Sequence, residues 1–310
     1  MVLSRTFLGW LACRDLVSGF LQHSAPSHPP ENGTWWDPLC YDPLPVGGIA
    51  VVLLLGTYAL LGMAPSVPLL LAGLCGGALV YGVDRGVVAA PEDTINHPER
   101  RRWVEAHRRW LWGEAAVLLF GGVAALSYLK LETVLGAGVG VVLAGLHLLP
   151  AGRWGRLLKT IGVGKPIVVA GAWAVGATFL PVIEAGQPVT LKVVGLAGYR
   201  FFFILPNVLL ADWGDRRGDA AVGLGPWTEA GTGRRLRWIA ATLLLVGAGV
   251  AAGLSMTSIS AGLLLVDGLG LVWMGGAVWG LEPERPRDRL LMDLVVAWPL
   301  VTVLVNWGVG

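Results

Sequence analysis

The sequence predicts an all-α integral membrane protein, a bundle of nine transmembrane helices with its N-terminus in the cytoplasm and its C-terminus outside. Three observations lead there. The 310 residues are 55% hydrophobic and only 14% charged, against about 25% charged in soluble domains, and the mean hydropathy is +0.65. Nine apolar runs of bilayer-spanning length, about 20 residues each, lie between clusters of charge. The basic residues alternate with those runs so that 20 of the 23 arginines and lysines face one side. The apolar content excludes a disordered chain. The 45 glycines follow no Gly-X-Y period, which excludes collagen. Cys13, Cys40 and Cys75 are odd in number and far apart, so they frame no disulfide scaffold.

Residues 1–45 read as a region of their own. The apolar run 7–13 is too short to span and is followed by no small-residue cleavage site. It reads as an interfacial amphipathic helix ahead of a Pro-rich linker. The membrane domain covers 46–310. Its spans are expected at 46–63, 65–84, 111–129, 132–149, 166–184, 191–211, 237–255, 259–280 and 290–308. Met63-Ala64-Pro65-Ser66-Val67-Pro68 turns the chain between the first two, and Gly186-Gln187-Pro188 separates the fifth from the sixth. Ser255-Met256-Thr257-Ser258 is the least marked boundary. Small-residue runs such as Gly136-Ala137-Gly138-Val139-Gly140 let helix backbones approach closely in lipid, so the spans read as members of a packed bundle.

The charges set the orientation. Arg5 and Arg14 precede span one. Arg85, Arg100, Arg101, Arg102, Arg108 and Arg109 follow span two, and Arg153, Arg156, Lys159 and Lys165 follow span four. Arg216, Arg217, Arg234, Arg235 and Arg237 follow span six, and Arg285, Arg287 and Arg289 follow span eight. Only Lys130 and Lys192 lie opposite, while Arg200 falls inside span six. Basic residues accumulate on the cytoplasmic side, and the long polar connections lie there too, so chemistry is expected on that face.

Asp212, Asp215 and Asp219 end span six at i, i+3 and i+7, a spacing that puts them on one helical face. Like charges 4 Å apart repel by roughly 4 kcal/mol at an effective dielectric of about 20. Arg216 and Arg217 project elsewhere on the helix, so a divalent cation is the better counter-charge, and hard carboxylate oxygens suit Mg²⁺. The same aspartates also fit a solvated helix end marking the membrane boundary. After span two come Tyr81, Asp84, Asp93, Asn96 and Arg100. Asn96 is placed to cap a helix entered through Pro98. The arginines beyond it satisfy topology and also suit phosphate. Tyr81 reads as an interfacial tyrosine or as a lining residue. Arg200 lies 12 residues before Asp212, about 18 Å along a helix, too deep to reach that cluster. A structural ion pair with Asp267 of span eight is the expectation. Glu114 and Asp293 lie nearer the cytoplasm and read as solvated. The 15 tryptophans read as an interfacial belt.

These residues resemble the UbiA superfamily of intramembrane prenyltransferases, nine-helix proteins with Asp-rich motifs after helices two and six. Asp212-Trp213-Gly214-Asp215-Arg216-Arg217-Gly218-Asp219, with Gly223, Thr228 and Gly231 beyond it, looks like the second motif, D-x-x-D-x-x-G-D followed by Gly and Thr. Asp93-Thr94-Ile95-Asn96-His97-Pro98-Glu99-Arg100 is similar to the tail of the first. His147, Pro150, Arg156, Lys159, Lys165 and Pro166 resemble the family's Tyr, Pro and Arg-Leu-Lys stretch after helix four. The likeness spans about 45–308. It departs where the first motif, N-D-x-x-D-x-x-x-D, should open: the chain has Val80-Tyr81 or Tyr81-Gly82, and Asp84 and Asp93 stand nine residues apart. His147 replaces a tyrosine.

The resemblance implies a Mg²⁺-dependent enzyme moving a prenyl group from a prenyl diphosphate to a lipophilic acceptor. Asp212, Asp215 and Asp219 would bind one Mg²⁺–diphosphate cluster, and Asp84, Asp93 and Asn96 the other. Lys159, Lys165 and Arg100 would contact diphosphate, and Tyr81 would face the cation or the acceptor. Partners are then a prenyl diphosphate, the acceptor and membrane lipids, with no nucleic acid. The location is a membrane, the inner one in a bacterium. Two alternatives share the fold: a cyclase or lyase needing no acceptor, and a non-catalytic isoprenoid-lipid binder. A CDP-alcohol phosphotransferase would need an Asp-Gly-x-x-Ala-Arg stretch, which is absent.

Overall fold

A computed structural model describes residues 35–86, 93–148, 164–221, 232–257 and 259–309. The expected interfacial helix at the N-terminus lies outside the described residues. Among these are fourteen helices and no strand: α1 Asp37–Tyr41, α2 Leu44–Leu61, α3 Val67–Gly86, α4 Asp93–Asn96, α5 Pro98–Ala106, α6 Arg108–Leu126, α7 Leu131–Leu148, α8 Gly164–Glu184, α9 Leu191–Gly214, α10 Arg216–Ala221, α11 Thr232–Leu254, α12 Ala261–Gly280, α13 Pro286–Val296 and α14 Pro299–Val309. Local chemistry sets the ends. Asp42 Oδ1 accepts the Leu44 N–H at 2.8 Å where α2 begins. That helix stops at Gly62, whose φ of 64° is the left-handed conformation glycine supplies at helix ends. Ser260 caps α12 by accepting from Leu263 N.

Eight of the nine expected apolar runs each fall on one helix. Six helices (α2, α6, α8, α9, α11 and α12) are long and apolar enough to cross a membrane, and α3 and α7 are shorter apolar helices over Val67–Val83 and Leu131–Val142. The expected single span at 290–308 needs correction. It is two half-helices, α13 and α14, bent by 42°. Pro299 opens the second half. Proline has no N–H for the preceding turn, which favours a kink or a break; α8 and α9 carry Pro181 and Pro206 without breaking, so at Pro299 the neighbouring contacts add to that tendency.

Burial separates a central post from lipid-facing walls. Over its apolar window α9 is 67% buried, whereas α6 is only 11% buried. The α9 helix packs along α8 and α11 and touches α12 and α13, while α2 packs on α3 and α14, and α3 on α6. Leu196, Tyr199, Phe203 and Leu210 of α9 meet Leu53 of α2, Leu236 of α11 and Met274 of α12 in one core. The outer faces are apolar as well: Val117, Leu119, Phe120 and Val123 of α6 are exposed, as are Leu135, Val139 and Val142 of α7. Exposed apolar faces on this scale would be unfavourable in water. They are expected where the solvent is hydrocarbon, and helices that satisfy their own backbone groups are the structures lipid tolerates. The chain has the build of a membrane protein.

Inside the core sits the ion pair expected from the sequence. Arg200 Nη1 lies 3.0 Å from Asp267 Oδ2 and both side chains are fully buried. Arg200 Nη2 donates to Asp267 Oδ1 at 3.3 Å, and Thr302 Oγ1 donates to the same oxygen at 2.8 Å. Tyr199 donates to the Asp267 carbonyl. The pair thus joins α9, α12 and α14 beside the bend. There Trp298 Nε1 donates to the Val266 carbonyl at 2.8 Å. Gly56 of α2 closes the fourth side: a β-carbon there would stand 2.6 Å from Pro299 Cβ and 2.9 Å from Arg200 Nη2.

Candidate active site

The acidic end of α9 meets the segment after α3 at the arginine-rich end of the bundle. The motif does not run on as one uniform helix. Asp215 caps α9, its N–H bonding to Asp212 O at 3.2 Å, three residues back, and α10 restarts at Arg216. The single helical face expected for the three aspartates therefore spans a junction, and their side chains find different partners. Asp212 Oδ1 lies 3.7 Å from Lys165 Nζ. Asp215 Oδ1 lies 2.8 Å from His97 Nε2 and 2.8 Å from Arg289 Nη2. Asp219 stands on α10, its N–H donating to Asp215 O at 3.2 Å.

Asn96 joins the two motifs. Its Nδ2 donates to the Asp215 carbonyl at 2.6 Å, and its Oδ1 accepts the Gly218 N–H at 2.7 Å. This corrects the capping expectation: His97, not Asn96, is the N-cap of α5, and no side chain caps that helix. Using both ends of its amide, Asn96 satisfies two backbone groups at the α9–α10 junction. Asn96→Ala would leave the Gly218 N–H without its acceptor, at about 1–3 kcal/mol for a buried group, while the Asp215 carbonyl keeps the Asp219 N–H. It should speed hydrogen exchange of the Gly218 amide by about tenfold while leaving α12 unchanged. Unchanged Gly218 exchange would show that the bond does not hold the loop.

Asp215 and His97 set the electrostatics. Burial by itself would raise the Asp215 carboxyl, but the Arg289 charge and the His97 hydrogen bond outweigh it, holding the group well below the usual carboxylate range. For His97 burial dominates and lowers its pKa, with Asp215 opposing and Arg289 and Arg100 assisting. The lowered pKa favours the neutral imidazole. Its Nε2 also lies 2.9 Å from Arg289 Nη1. A neutral ring nitrogen carries a proton or a lone pair, so it serves Asp215 or Arg289 but not both. Arg289 reaches further, donating from Nη2 to the Ala211 carbonyl at 3.0 Å. Gly214 makes room, since a β-carbon there would stand 2.9 Å from Arg289 Nη2.

The remaining expected site residues separate. Arg100 lines a small cavity of about 60 Å³ with His97, Arg289 and Asp293. Tyr81 faces Trp173 of α8 across 6.3 Å between ring centroids. Lys159 and the side chains of Asp84, Asp93 and His147 lie outside the described residues. Arg216 and Arg217 reach Glu284 instead of the aspartates, and Arg216 covers the Trp213 ring at 3.9 Å. Asp293, expected to be solvated, accepts from Asn207 Nδ2 at 3.0 Å, and both Glu114 carboxylate oxygens are buried. The sequence missed Arg289 and the role of His97. His97 stands within the stretch Asp93–Arg100 singled out in the sequence, but Arg289 had no signal beyond its charge.

The counter-charge expected from a divalent cation is supplied here by Lys165 and Arg289. The donors still suit Mg²⁺. Asp215 Oδ2 accepts none of the bonds above, and among the described residues no three His, Cys, Asp or Glu side chains converge. Mg²⁺ is commonly held by one or two carboxylates plus water and substrate phosphate, so Asp215 Oδ2 is a carboxylate oxygen of the kind such an ion takes. Fold and site together define a helical membrane protein whose acidic motif is clasped to a second loop and interleaved with fixed cations.

No family model matches the sequence, and no curated protein matches it. A solved structure of digeranylgeranylglyceryl phosphate synthase in membranes aligns with 88% of this chain and 97% of its own, at 13% identity and a TM-score of 0.49.

Proposed function

We propose that this protein is a Mg²⁺-dependent membrane prenyltransferase, moving a prenyl group from a prenyl diphosphate to a lipophilic acceptor. The observation that carries the reading is the clasp of Asn96 on the Asp215–Gly218 turn. It brings the two motif segments, 119 residues apart, to one end of an apolar bundle, beside Lys165 and Arg289. A prenyl diphosphate needs both environments, cations at a polar mouth and apolar walls for the chain. In this reading the basic loops favour a cytoplasmic mouth, at the inner membrane if the host is a bacterium.

Lys165 and Arg289 would take diphosphate charge, with Arg100 and Lys159 as further candidates. Asp212 and Asp215, with Asp219, Asp84 and Asp93, would hold Mg²⁺, which when bound stabilises charge on the departing diphosphate. The bond from the allylic carbon to diphosphate oxygen breaks, and its electron pair leaves with the diphosphate. The acceptor's nucleophile then attacks that carbon and its proton passes to the departing diphosphate or to water, with Tyr81 as our candidate to face the cation or the acceptor.

An apolar cavity of about 520 Å³ opens between α3, α5 and α6, lined by Ala78, Leu79, Gly82, Val83, Leu111, Ala115 and Leu118 among others. Ligand pockets run about 300–1,000 Å³, and Gly82 and Val83 immediately precede Asp84. This cavity is our candidate for the chain. Ala115→Phe should then shift the preference to shorter prenyl diphosphates, lowering turnover of the longest by about tenfold while sparing the shortest. Equal losses at every length would remove the cavity from the chain's path.

The deciding experiment is diphosphate release by the purified full chain from a ladder of prenyl diphosphates, with and without Mg²⁺ and with candidate acceptors. Mg²⁺-dependent release is expected. A non-catalytic isoprenoid-lipid binder is the second reading, favoured by the pairing of Asp215 with two protein donors. Binding without release under every condition would favour it. Neither binding nor release would exclude both.

A further inference from the structure

We infer that Arg289 is an exchangeable counter-ion, pairing with Asp215 while the site holds only protein charges and transferring to diphosphate when a divalent cation takes the carboxylate. The inference rests on the function proposed above, and adds an order to how its ligands bind.

The two acids and two bases are already paired, Asp212 with Lys165 and Asp215 with Arg289. A divalent cation arriving alone meets two fixed positive charges competing for its ligands. A diphosphate arriving alone meets two carboxylates. At about 4 Å each such encounter is worth a few kcal/mol even in a moderately polar medium. Arriving together, cation and anion remove both conflicts, because the cation binds the carboxylates while the anion takes the displaced bases.

Arg289 is held by Asp215, the Ala211 carbonyl and His97, and these leave part of its fork unused. Its Nε is buried without a hydrogen-bond partner, and its Nη1 faces the imidazole of His97. Only Nη2 meets a carboxylate, and it meets one oxygen, where guanidinium can grip two. A phosphate group would offer oxygens to the whole fork. The distance is short. Mg²⁺–oxygen bonds are about 2.1 Å, so phosphate oxygens sharing that ion with Asp215 lie within about 4 Å of its carboxylate. A side-chain rotation covers that.

The exchange makes a prediction that a purely structural arginine does not, namely opposite shifts in two affinities. The full chain in detergent would be titrated with Mn²⁺ alone, followed by its electron paramagnetic resonance. It would then be titrated with inorganic diphosphate, with and without saturating Mg²⁺, by calorimetry. In the wild type each ligand should raise the other's affinity at least tenfold. Arg289→Gln should bind Mn²⁺ alone about three- to tenfold more tightly, because Asp215 is released. It should bind Mg²⁺–diphosphate at least tenfold more weakly. Arg289→Lys keeps the charge, so its Mn²⁺ affinity should stay within threefold of wild type while diphosphate binding is partly lost; it also serves if the glutamine variant fails to fold. Weakening of both affinities in either variant, or no change in either, would overturn the exchange while leaving the proposed function standing. Wild-type protein that binds no diphosphate even with Mg²⁺ would overturn both.

Discussion

Asp267→Asn is expected to destabilise the bundle by about 3–5 kcal/mol, the usual cost of removing one partner from a buried ion pair. The mutant leaves the Arg200 guanidinium fully buried among Tyr199, Gly56, Pro299 and Thr302, with no carboxylate to offset it. In hydrocarbon surroundings water offers little relief. Arg200→Met should cost a similar amount by stranding Asp267. The double variant Arg200→Met/Asp267→Leu removes both charges, so it should recover most of the loss. Apolar replacement of a whole buried pair is often neutral. Thermal or detergent unfolding of the wild type, Arg200→Met, Asp267→Leu and the double variant closes a double-mutant cycle, with Asp267→Asn measured beside it. Losses that simply add would mean the two charges do not depend on one another. The pair, Thr302 and Trp298 also tie the junction of α13 and α14 to α9 and α12.

Asp215→Asn is expected to lower Mg²⁺-dependent diphosphate release by about 10³-fold, at the upper end of what one electrostatic group contributes. Asparagine keeps the size of aspartate and loses its charge, so Arg289 and a divalent cation both lose their anionic partner. The backbone bonds from Asn96 to this turn do not involve the carboxylate, so the turn should keep its shape. Gly218 hydrogen exchange would verify this. Asp84→Asn, measured beside it, reports whether the altered first motif contributes. Wild-type rates in Asp215→Asn would sink the assignment of this carboxylate to the cation. A rate lost together with Gly218 protection would point to a collapsed turn.

Much of the architecture was legible in the chain itself. The apolar runs became helical, the last as two half-helices, since a backbone in hydrocarbon must satisfy its hydrogen bonds within its own segment. Arg200 and Asp267 were readable as partners for a related reason: two lone charges among apolar runs have few alternatives. The bend at Pro299 was present as a residue but submerged in the hydropathy of 290–308, because averaging over a window erases a single missing N–H.

The site was legible only in its outline. Asp212, Asp215, Asn96 and Lys165 stood out by residue type and spacing, and the structure brings them to one end. Their pairings were not readable. Helical periodicity put three aspartates on one face, but the cap at Asp215 turns their side chains toward different partners. Capping statistics assigned Asn96 to its own helix, whereas its amide serves a turn 119 residues away. Arg289 looked like one more cytoplasmic arginine. Hydropathy, charge sidedness and motif spacing are properties of a segment and its solvent, so the sequence by itself determined the helices, the polar end and the residue types gathered there. Which cation faces which carboxylate depends on which helices are neighbours and how they are rotated. Only the tertiary structure decided that Arg289 of α13 stands against Asp215 of α9, and that Asn96 holds the turn between them.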